Sequence, residues 1–135
     1  DTWSPLDVVA HLVHTERTNW IPRVLILLEH GESRPFDEFD RFGHLKILSG
    51  RTVDTLLDEF AAERQESLGA LARVQPADLE RRGRHPALGP VALRQIMAAW
   101  VAHDLDHIMQ ISRVLARQYT DEVGPWRGYL RILRD

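Results

Sequence analysis

The sequence predicts an all-α fold, a bundle of long helices joined by long connections. Three segments repeat apolar residues at the three-to-four spacing typical of amphipathic helices, and they cover about Pro5 to Gly31, Thr52 to Val74 and Val91 to Tyr119. No segment shows the alternating pattern of a half-buried strand. The two connections, residues 31–50 and 75–90, contain several glycines and prolines and are long enough to cross an end of the bundle.

The first helix begins at a recognisable start signal. Ser4 can act as the N-cap, Pro5 takes the first helical position, and Asp7 places an acid near the positive end of the helix. Pro22 lies inside the same helix and cannot donate a hydrogen bond to the carbonyl of Thr18. We therefore expect a bend and a freed carbonyl at this point.

The connection of residues 31–50 is predicted to cross the end of the bundle or to form a lid. We expect the side chains of Phe36, Phe39 and Phe42 to attach it to the bundle. The second helix has charged residues on one side and a predicted core stripe on the other. The stripe consists of Val53, Leu56, Leu57, Phe60, Leu68 and Leu71.

The third helix is followed by a break at Gly124-Pro125, after which Trp126 to Leu133 is predicted to form one or two last helical turns. A fourth helix of the bundle would come from this C-terminus, from a segment before residue 1, or from a partner chain. Because the first residue is not Met, we expect that an N-terminal segment is missing.

Composition excludes several classes of function. The 135 residues, 44% of them hydrophobic, fit a single domain over residues 1–135 with one core. A formal net charge of -3 and the absence of a basic run disfavour a nucleic-acid partner. No apolar run can cross a bilayer and no signal peptide is visible, so we expect no membrane partner and a cytoplasmic location. The absence of cysteine excludes disulfides, thiolate ligands and a protein thiol nucleophile.

Two histidines lie four residues apart within the apolar face of the third helix. This spacing places the rings of His103 and His107 on successive turns, close enough to share one divalent ion. Burying imidazole costs free energy unless both of its nitrogens find partners. The residues alone leave two interpretations open, metal ligation and ordinary hydrogen bonding.

Further ligands would have to be histidine or carboxylate, because cysteine is absent. On the first helix, His11 and His14 partly share a face, and either can reach across the bundle. His30, His44 and His85 fall at a helix end or in loops among polar residues, where we expect solvated imidazoles. Three imidazoles would leave coordination positions for water or substrate, as in a catalytic site.

Four runs along the chain together resemble a known family. They are WSPLDVVAHLVHTE, LLDEFAAERQESLGAL, HPALGPVALRQI and AHDLDHIMQI, in this order over nearly the whole chain. They are similar to the DinB superfamily, in particular the branch that contains the YfiT-like thiol-dependent transferases. The resemblance implies a four-helix bundle with long crossover connections, often dimeric and often preceded by another helix. We therefore expect a homodimer.

The resemblance also implies a metal site. Family members typically carry a divalent metal, nickel or zinc among others, on three histidines that correspond here to His11, His103 and His107. His11 is favoured over His14 because it stands directly before the leucine of the family's HL pair. Zinc, nickel, copper and iron all suit such a site.

The chemistry implied by the resemblance uses a thiol from outside the protein. Several relatives join low-molecular-weight thiols such as bacillithiol or mycothiol to an electrophile, or isomerise a substrate with the thiol as cofactor. The implied function is a metal-dependent thiol S-transferase that acts on a small-molecule electrophile. The alternative is a non-catalytic bundle, metal-binding or metal-free, with a stress-response or dimerisation role.

Two further residues are candidates for catalysis. Gln110 stands one turn beyond His107 and can either hydrogen-bond a metal-bound water or lie at the edge of the core. Glu16 matches an acid common in the first helix of the family, although its helical angle differs from that of His11.

Three other residues near the pair are assigned structural roles. Asp104 and Asp106 are expected in surface salt bridges or helix-to-helix contacts, because their helical angles point away from the histidines. Trp100, one turn before His103, is expected in the core.

Overall fold

The computed structural model describes residues 3–134 and confirms the all-α class. Its helices are α1 (Pro5–Thr15), α2 (Ile21–His30), α3 (Leu45–Leu48), α4 (Val53–Leu71) and α5 (Leu93–Arg117). A small antiparallel sheet is formed by β1 (Arg82–His85) and β2 (Gly89–Ala92). Short 3-10 helices cover Pro76–Glu80, Gly124–Tyr129 and Arg131–Leu133.

The first long helix is divided in two by a π-helical turn. α1 begins at the predicted cap, where the Ser4 amide donates to the Asp7 carboxylate at 2.8 Å and the Asp7 amide donates to Ser4 Oγ at 3.2 Å. The π-helical turn Glu16–Trp20 follows, and Pro22 lies in the first turn of α2. The irregularity predicted before Pro22 therefore takes the form of a π-helical turn, a feature that is frequent at functional sites.

The core forms where α1 and α2 pack against α4 and α5. Leu27, Leu56 and Leu93 are completely buried, and burial of each such side chain stabilises the fold by about 1.5–3 kcal/mol. One cluster joins α2, the first connection and α5, and a second joins α1 to α4. The first cluster contains Trp20, Val24, Ile26, Leu27, Phe36, Leu93, Ile96 and Trp100. The second contains Val9, Ala10, Val13 and Leu56.

The first connection is attached to the bundle by two of the three predicted phenylalanines. Phe36 is buried and Phe39 packs against His14 of α1 with ring centroids 5.0 Å apart, but Phe42 is 71% exposed and does not attach the segment. A close approach to α1 at Gly43 takes its place: a Cβ there would lie 2.2 Å from Cε1 of His14, so only glycine fits. The short helix α3 follows directly.

The second connection contains two short strands that were not predicted from the sequence. β1 pairs with β2 from Arg82 opposite Ala92 to His85 opposite Gly89, and the Phe36 amide donates to the Arg84 carbonyl at 2.8 Å. Each strand has only four residues, so its burial pattern is too short to recognise in the sequence.

The predicted core stripe of the second helix is only partly buried. Leu56 is buried, whereas Leu57 and Leu68 remain 46% and 51% exposed. The helical turns predicted after Gly124-Pro125 are present as the 3-10 helices Gly124–Tyr129 and Arg131–Leu133. None of the helices within residues 3–134 combines the length and the apolar character that a bilayer crossing requires.

Candidate metal centre

Three histidines from two helices converge at one point. His11 projects from α1, and His103 and His107 project from successive turns of α5. The Nε2 atom of His103 lies 3.3 Å from Nε2 of His11 and 3.2 Å from Nε2 of His107. Each ring offers one nitrogen to a group whose members all lie within 4.8 Å of one another. The residues that the family resemblance assigns to the metal site are therefore together in space.

These separations match the donor spacing of a metal-binding site. Two imidazole nitrogens bound to a tetrahedral zinc at about 2.05 Å lie about 3.3 Å from each other. His11 and His107 are buried, at 8% and 9% exposure, and His103 is partly buried. The donor set and its spacing therefore fit a divalent transition metal.

The environment keeps at least two of the imidazoles in the neutral form that can bind a metal. Burial, together with the neighbouring His107 and His103, lowers the pKa of His11 to about 3. Burial likewise lowers the pKa of His107. Neutral rings present nitrogen lone pairs, and lone pairs that converge at this distance repel one another unless a proton or a cation lies between them.

Gln110 orients His107. Nδ1 of His107 lies 2.9 Å from Oε1 of Gln110, so Nδ1–H donates to the amide and Nε2 is left with its lone pair towards the other histidines. Gln110 is partly buried, as a residue at the edge of the core would be, and the contact of its amide oxygen with His107 is a ligand-orienting role. Its predicted hydrogen bond to a metal-bound water stays a prediction.

An arginine from α4 connects the site to the rest of the bundle. Arg64 donates to Asp104 Oδ2 at 2.8 Å and to both carboxylate oxygens of Glu16 at 2.7 and 3.1 Å. Asp104 Oδ1 lies 3.9 Å from Nδ1 of His103, too far for a hydrogen bond, and neither atom has a hydrogen-bond partner among residues 3–134. Of the two uses predicted for Asp104, the helix-to-helix contact is therefore the one observed.

Glu16 lies outside the histidine cluster. It is buried at 3% exposure in the π-helical turn, and its carboxylate is occupied by Arg64. The pairing with Arg64 gives Glu16 a structural role, and its catalytic role stays a prediction. Arg64 is one of the charged residues of the second helix, and a sequence pattern cannot show that one charged residue of a polar face turns inward.

The other histidines do not join the cluster. His14 is buried and bonds to the backbone carbonyl of Asp40 through Nε2 at 2.8 Å. His44, expected to be solvated, is only 2% exposed, because the first connection folds it against Trp3 with ring centroids 4.5 Å apart. His30 and His85 are partly exposed, and Nδ1 of His85 accepts hydrogen bonds from two amides of its own turn.

An open cleft of about 1160 Å³ leads to the histidines. His11 and His103 lie in its wall, and Trp3 and Phe39 flank His11 with ring centroids at 5.0 and 6.0 Å. Trp100 lies in the core as predicted, stacked on Trp20 at 5.6 Å. The cleft is lined by Trp3, His11, Thr15, Asn19, Trp20, Arg23, Glu38, Phe39, Arg41, Phe42, His85, Pro86, Ala87 and His103.

Comparison with known proteins agrees with this geometry. The model of the DinB superfamily matches residues 1–111, a range that includes all three converging histidines. A search of the curated proteins finds no match. Because the family model covers most of the 135 residues, and because the fold is helical as that family requires, the chain belongs to the DinB superfamily.

Proposed function

We propose that the protein binds a divalent metal, zinc or nickel, on His11, His103 and His107 and transfers a low-molecular-weight thiol to a small electrophile. The observation that carries the proposal is the convergence of three histidine nitrogens beside an open cleft. A closed structural zinc site has four protein ligands, whereas three protein ligands with access from solvent are typical of a catalytic metal.

The residues present suit an external thiol. The chain contains no cysteine, so any sulfur nucleophile must come from a second molecule. When bound, a divalent metal on three neutral imidazoles keeps its full positive charge, because the ligands carry no negative charge. That positive charge lowers the pKa of a thiol. The cleft has room for a small molecule, and Trp3 and Phe39 give it apolar surface beside His11.

Metal content tests the site directly. We expect about one metal ion per chain in protein purified without chelators, measured by mass spectrometry. The double variant His103→Ala/His107→Ala should lose this metal, while His30→Ala should keep it, because His30 lies outside the cluster. Equal, negligible metal in the wild type and in the double variant would contradict the assignment.

Turnover tests the reaction. Bacillithiol, mycothiol and glutathione should each be offered with 1-chloro-2,4-dinitrobenzene, and thioether formation followed by absorbance. We expect conjugation with at least one thiol above the uncatalysed rate, and its loss after chelation or in the double variant. No conjugation with any of the three, in protein that contains its metal, would contradict the transferase proposal.

The alternative is a bundle whose metal is structural and which catalyses nothing. It is favoured by the position of the histidines, which join α1 to α5 close to the core. A structural metal raises the thermal midpoint without turnover, because it binds the folded state alone. The two experiments above therefore separate the proposals.

We also propose that the protein is a homodimer in the cytoplasm. A dimer is supported by an apolar stripe exposed on the outer side of α5, formed by Val101, Leu105, Ile108 and Leu115. Their spacing of four, three and seven residues is that of a helix-to-helix seam. The cytoplasm is where pools of reduced small thiols are maintained.

A further inference from the structure

Arg23 is a half-buried cation without a protein partner in the part of the chain that the structure describes. It lines the same cleft as His11 and His103. Among residues 3–134 no carboxylate forms an ion pair with it, and burial alone lowers its pKa. Removing a charge from water without a compensating partner costs free energy, so such a cation points to a ligand of opposite charge.

The guanidinium is held in a defined place. Its central carbon lies 5.8 Å from the ring centroid of Phe36, which is buried. Phe36 in turn packs against Gly83 so closely that a Cβ there would lie 2.6 Å from the ring. The guanidinium thus packs on a fixed aromatic ring. Because this contact restricts the side chain before an anion binds, less conformational entropy is lost on binding.

The ionic residues of the cleft favour one negative charge on the ligand. Arg23 and Arg41 supply two positive charges, and Glu38 supplies one negative charge. His85 also faces the cleft, and burial together with Arg23 lowers its pKa, so it adds little positive charge near neutral pH. Away from the proposed metal ion, whose charge a bound thiolate would offset in part, the remaining balance of one positive charge matches a carboxylate better than a doubly charged phosphate.

Arg23 and the histidines lie at different places along the same cleft. The π-helical turn Glu16–Trp20 separates Arg23 from His11 along the chain. Trp20, one turn before Arg23, packs edge-on against His103 with ring centroids 5.2 Å apart, and both residues line the cleft with Arg23. A ligand that contacts both Arg23 and the histidines must be long enough to pass Trp20.

We propose that the cleft binds an elongated organic monoanion, with its carboxylate on Arg23 and its other end at the three histidines. The inference rests on the proposed function, since it assigns the thiol or the electrophile of that reaction to the class of small carboxylic acids. Arg23 is then a specificity-determining residue.

A series of thiol probes tests the proposal. Cobalt-loaded protein should be titrated with 3-mercaptopropionate, 6-mercaptohexanoate and 8-mercaptooctanoate, and with the mercaptoalcohols of the same lengths. Sulfur-to-cobalt charge-transfer absorption reports binding. We expect an acid of sufficient length to bind about tenfold more tightly than its alcohol, the value of one charge-assisted hydrogen bond.

Variants assign the preference to Arg23. Arg23→Gln should abolish the discrimination between acid and alcohol, and Arg23→Lys should retain part of it. Arg73→Gln removes the same charge at an exposed position outside the cleft and should leave the discrimination unchanged. The proposal is overturned if Arg23→Gln keeps the wild-type preference, or if the thiols bind cobalt and no acid of the series is preferred.

A second pair of probes separates this inference from the thiol chemistry. 4-Phenylbutyrate and 4-phenylbutanol contain no sulfur, and their binding to metal-free protein can be followed by calorimetry. Here too we expect the acid to be preferred in the wild type and not in Arg23→Gln. If no thiol binds cobalt while this preference is present, the proposed function fails and the anion site stands; if the preference is absent, the anion site fails.

Discussion

Gln110 determines which nitrogen of His107 faces the metal centre. Without the amide oxygen at 2.9 Å, Nδ1–H of His107 loses its partner and the ring is free to turn. We expect Gln110→Ala to lower metal affinity by about tenfold, measured by competition with a chromophoric chelator. Gln65→Ala, at an exposed position on α4, is the matched control and should bind metal like the wild type. Unchanged affinity in Gln110→Ala would show that the ring is oriented by packing alone.

The depressed pKa of His11 predicts how stability depends on pH in the metal-free protein. The pKa is about 3 in the folded state and about 6.5 in the unfolded chain. Between these values the unfolded state binds a proton that the folded state does not, so the free energy of unfolding falls as pH falls below 6.5. For one proton the slope approaches about 1.4 kcal/mol per pH unit inside this window.

Urea denaturation of chelator-treated protein between about pH 6.5 and 5 measures this slope. The His11→Asn variant has no imidazole at this position. The slope of its free energy of unfolding against pH should therefore be smaller than that of the wild type, by up to the contribution of one proton. Identical slopes for the wild type and for His11→Asn would mean that His11 titrates normally in the folded protein.

At the scale of residues, the sequence predicted the members of the cluster but not their partners. His103 and His107 were recognisable because a polar pair on an apolar face requires an explanation, and His11 because it stands in a family motif. The bond from His107 to Gln110 depends on a ring orientation that no spacing specifies. The burial of His44 depends on how a long connection folds back over α1, which is a tertiary property.

At the scale of elements, Arg64 joins the π-helical turn, α4 and α5. The side chain of Glu16 is only 1% exposed, so its carboxylate depends on the guanidinium for compensation. Arg64 also lies 4.8 Å from the ring centroid of Phe60 and 5.3 Å from that of Trp100. One side chain therefore provides charge compensation and packing for three elements.

We expect Arg64→Met to lower the free energy of unfolding by about 3 kcal/mol, because it leaves a buried carboxylate unpaired. Equilibrium urea denaturation measures the change. The double variant Glu16→Gln/Arg64→Met should recover part of the loss, since it removes the unpaired charge as well. Arg113→Met, at an exposed position of α5, should change stability by less than about 0.5 kcal/mol. If Arg64→Met lowered the free energy of unfolding as little as Arg113→Met does, the carboxylate of Glu16 would not depend on Arg64 for charge compensation.

The long helices were predictable and the irregular elements were not. α4 and α5 follow from apolar periodicity, and α1 from its cap and proline. The π-helical turn was visible only as an irregularity before Pro22, because periodicity does not distinguish a π-turn from a kink. The hairpin of β1 and β2 is stabilised by Phe36 packed against Gly83, a contact between distant parts of the sequence.

At the scale of the whole molecule, the bundle leaves one side of α5 without a cover in the part of the chain that the structure describes. Val101, Leu105 and Ile108 are 62%, 60% and 57% exposed along a single stripe. Sequence periodicity predicted apolar faces on this helix but could not say which would meet the rest of the chain, because a long helix can present apolar residues on two sides. An exposed stripe of this kind usually marks a protein interface.

The charges beside the stripe favour a second copy of the same chain as its cover. Asp106 lies near the middle of α5, and Arg113 and Arg117 lie towards its C-terminal end. An antiparallel copy whose two-fold axis passes between Met109 and Gln110 places Asp106 of each chain opposite Arg113 of the other, so unlike charges meet. A parallel arrangement would place like charges side by side.

We therefore expect the wild type to have twice the 15.6 kDa mass of one chain in light scattering coupled to size exclusion. Ile108→Glu places a charge at the middle of the stripe on both copies and should yield the monomer, because two carboxylates would then face each other without water. Leu88→Glu is the matched control: Leu88 is 74% exposed in the turn between β1 and β2, outside α5, and its replacement should leave the dimer intact. A wild type that remains monomeric at high concentration, or an Ile108→Glu variant that remains dimeric, would exclude this face as the interface.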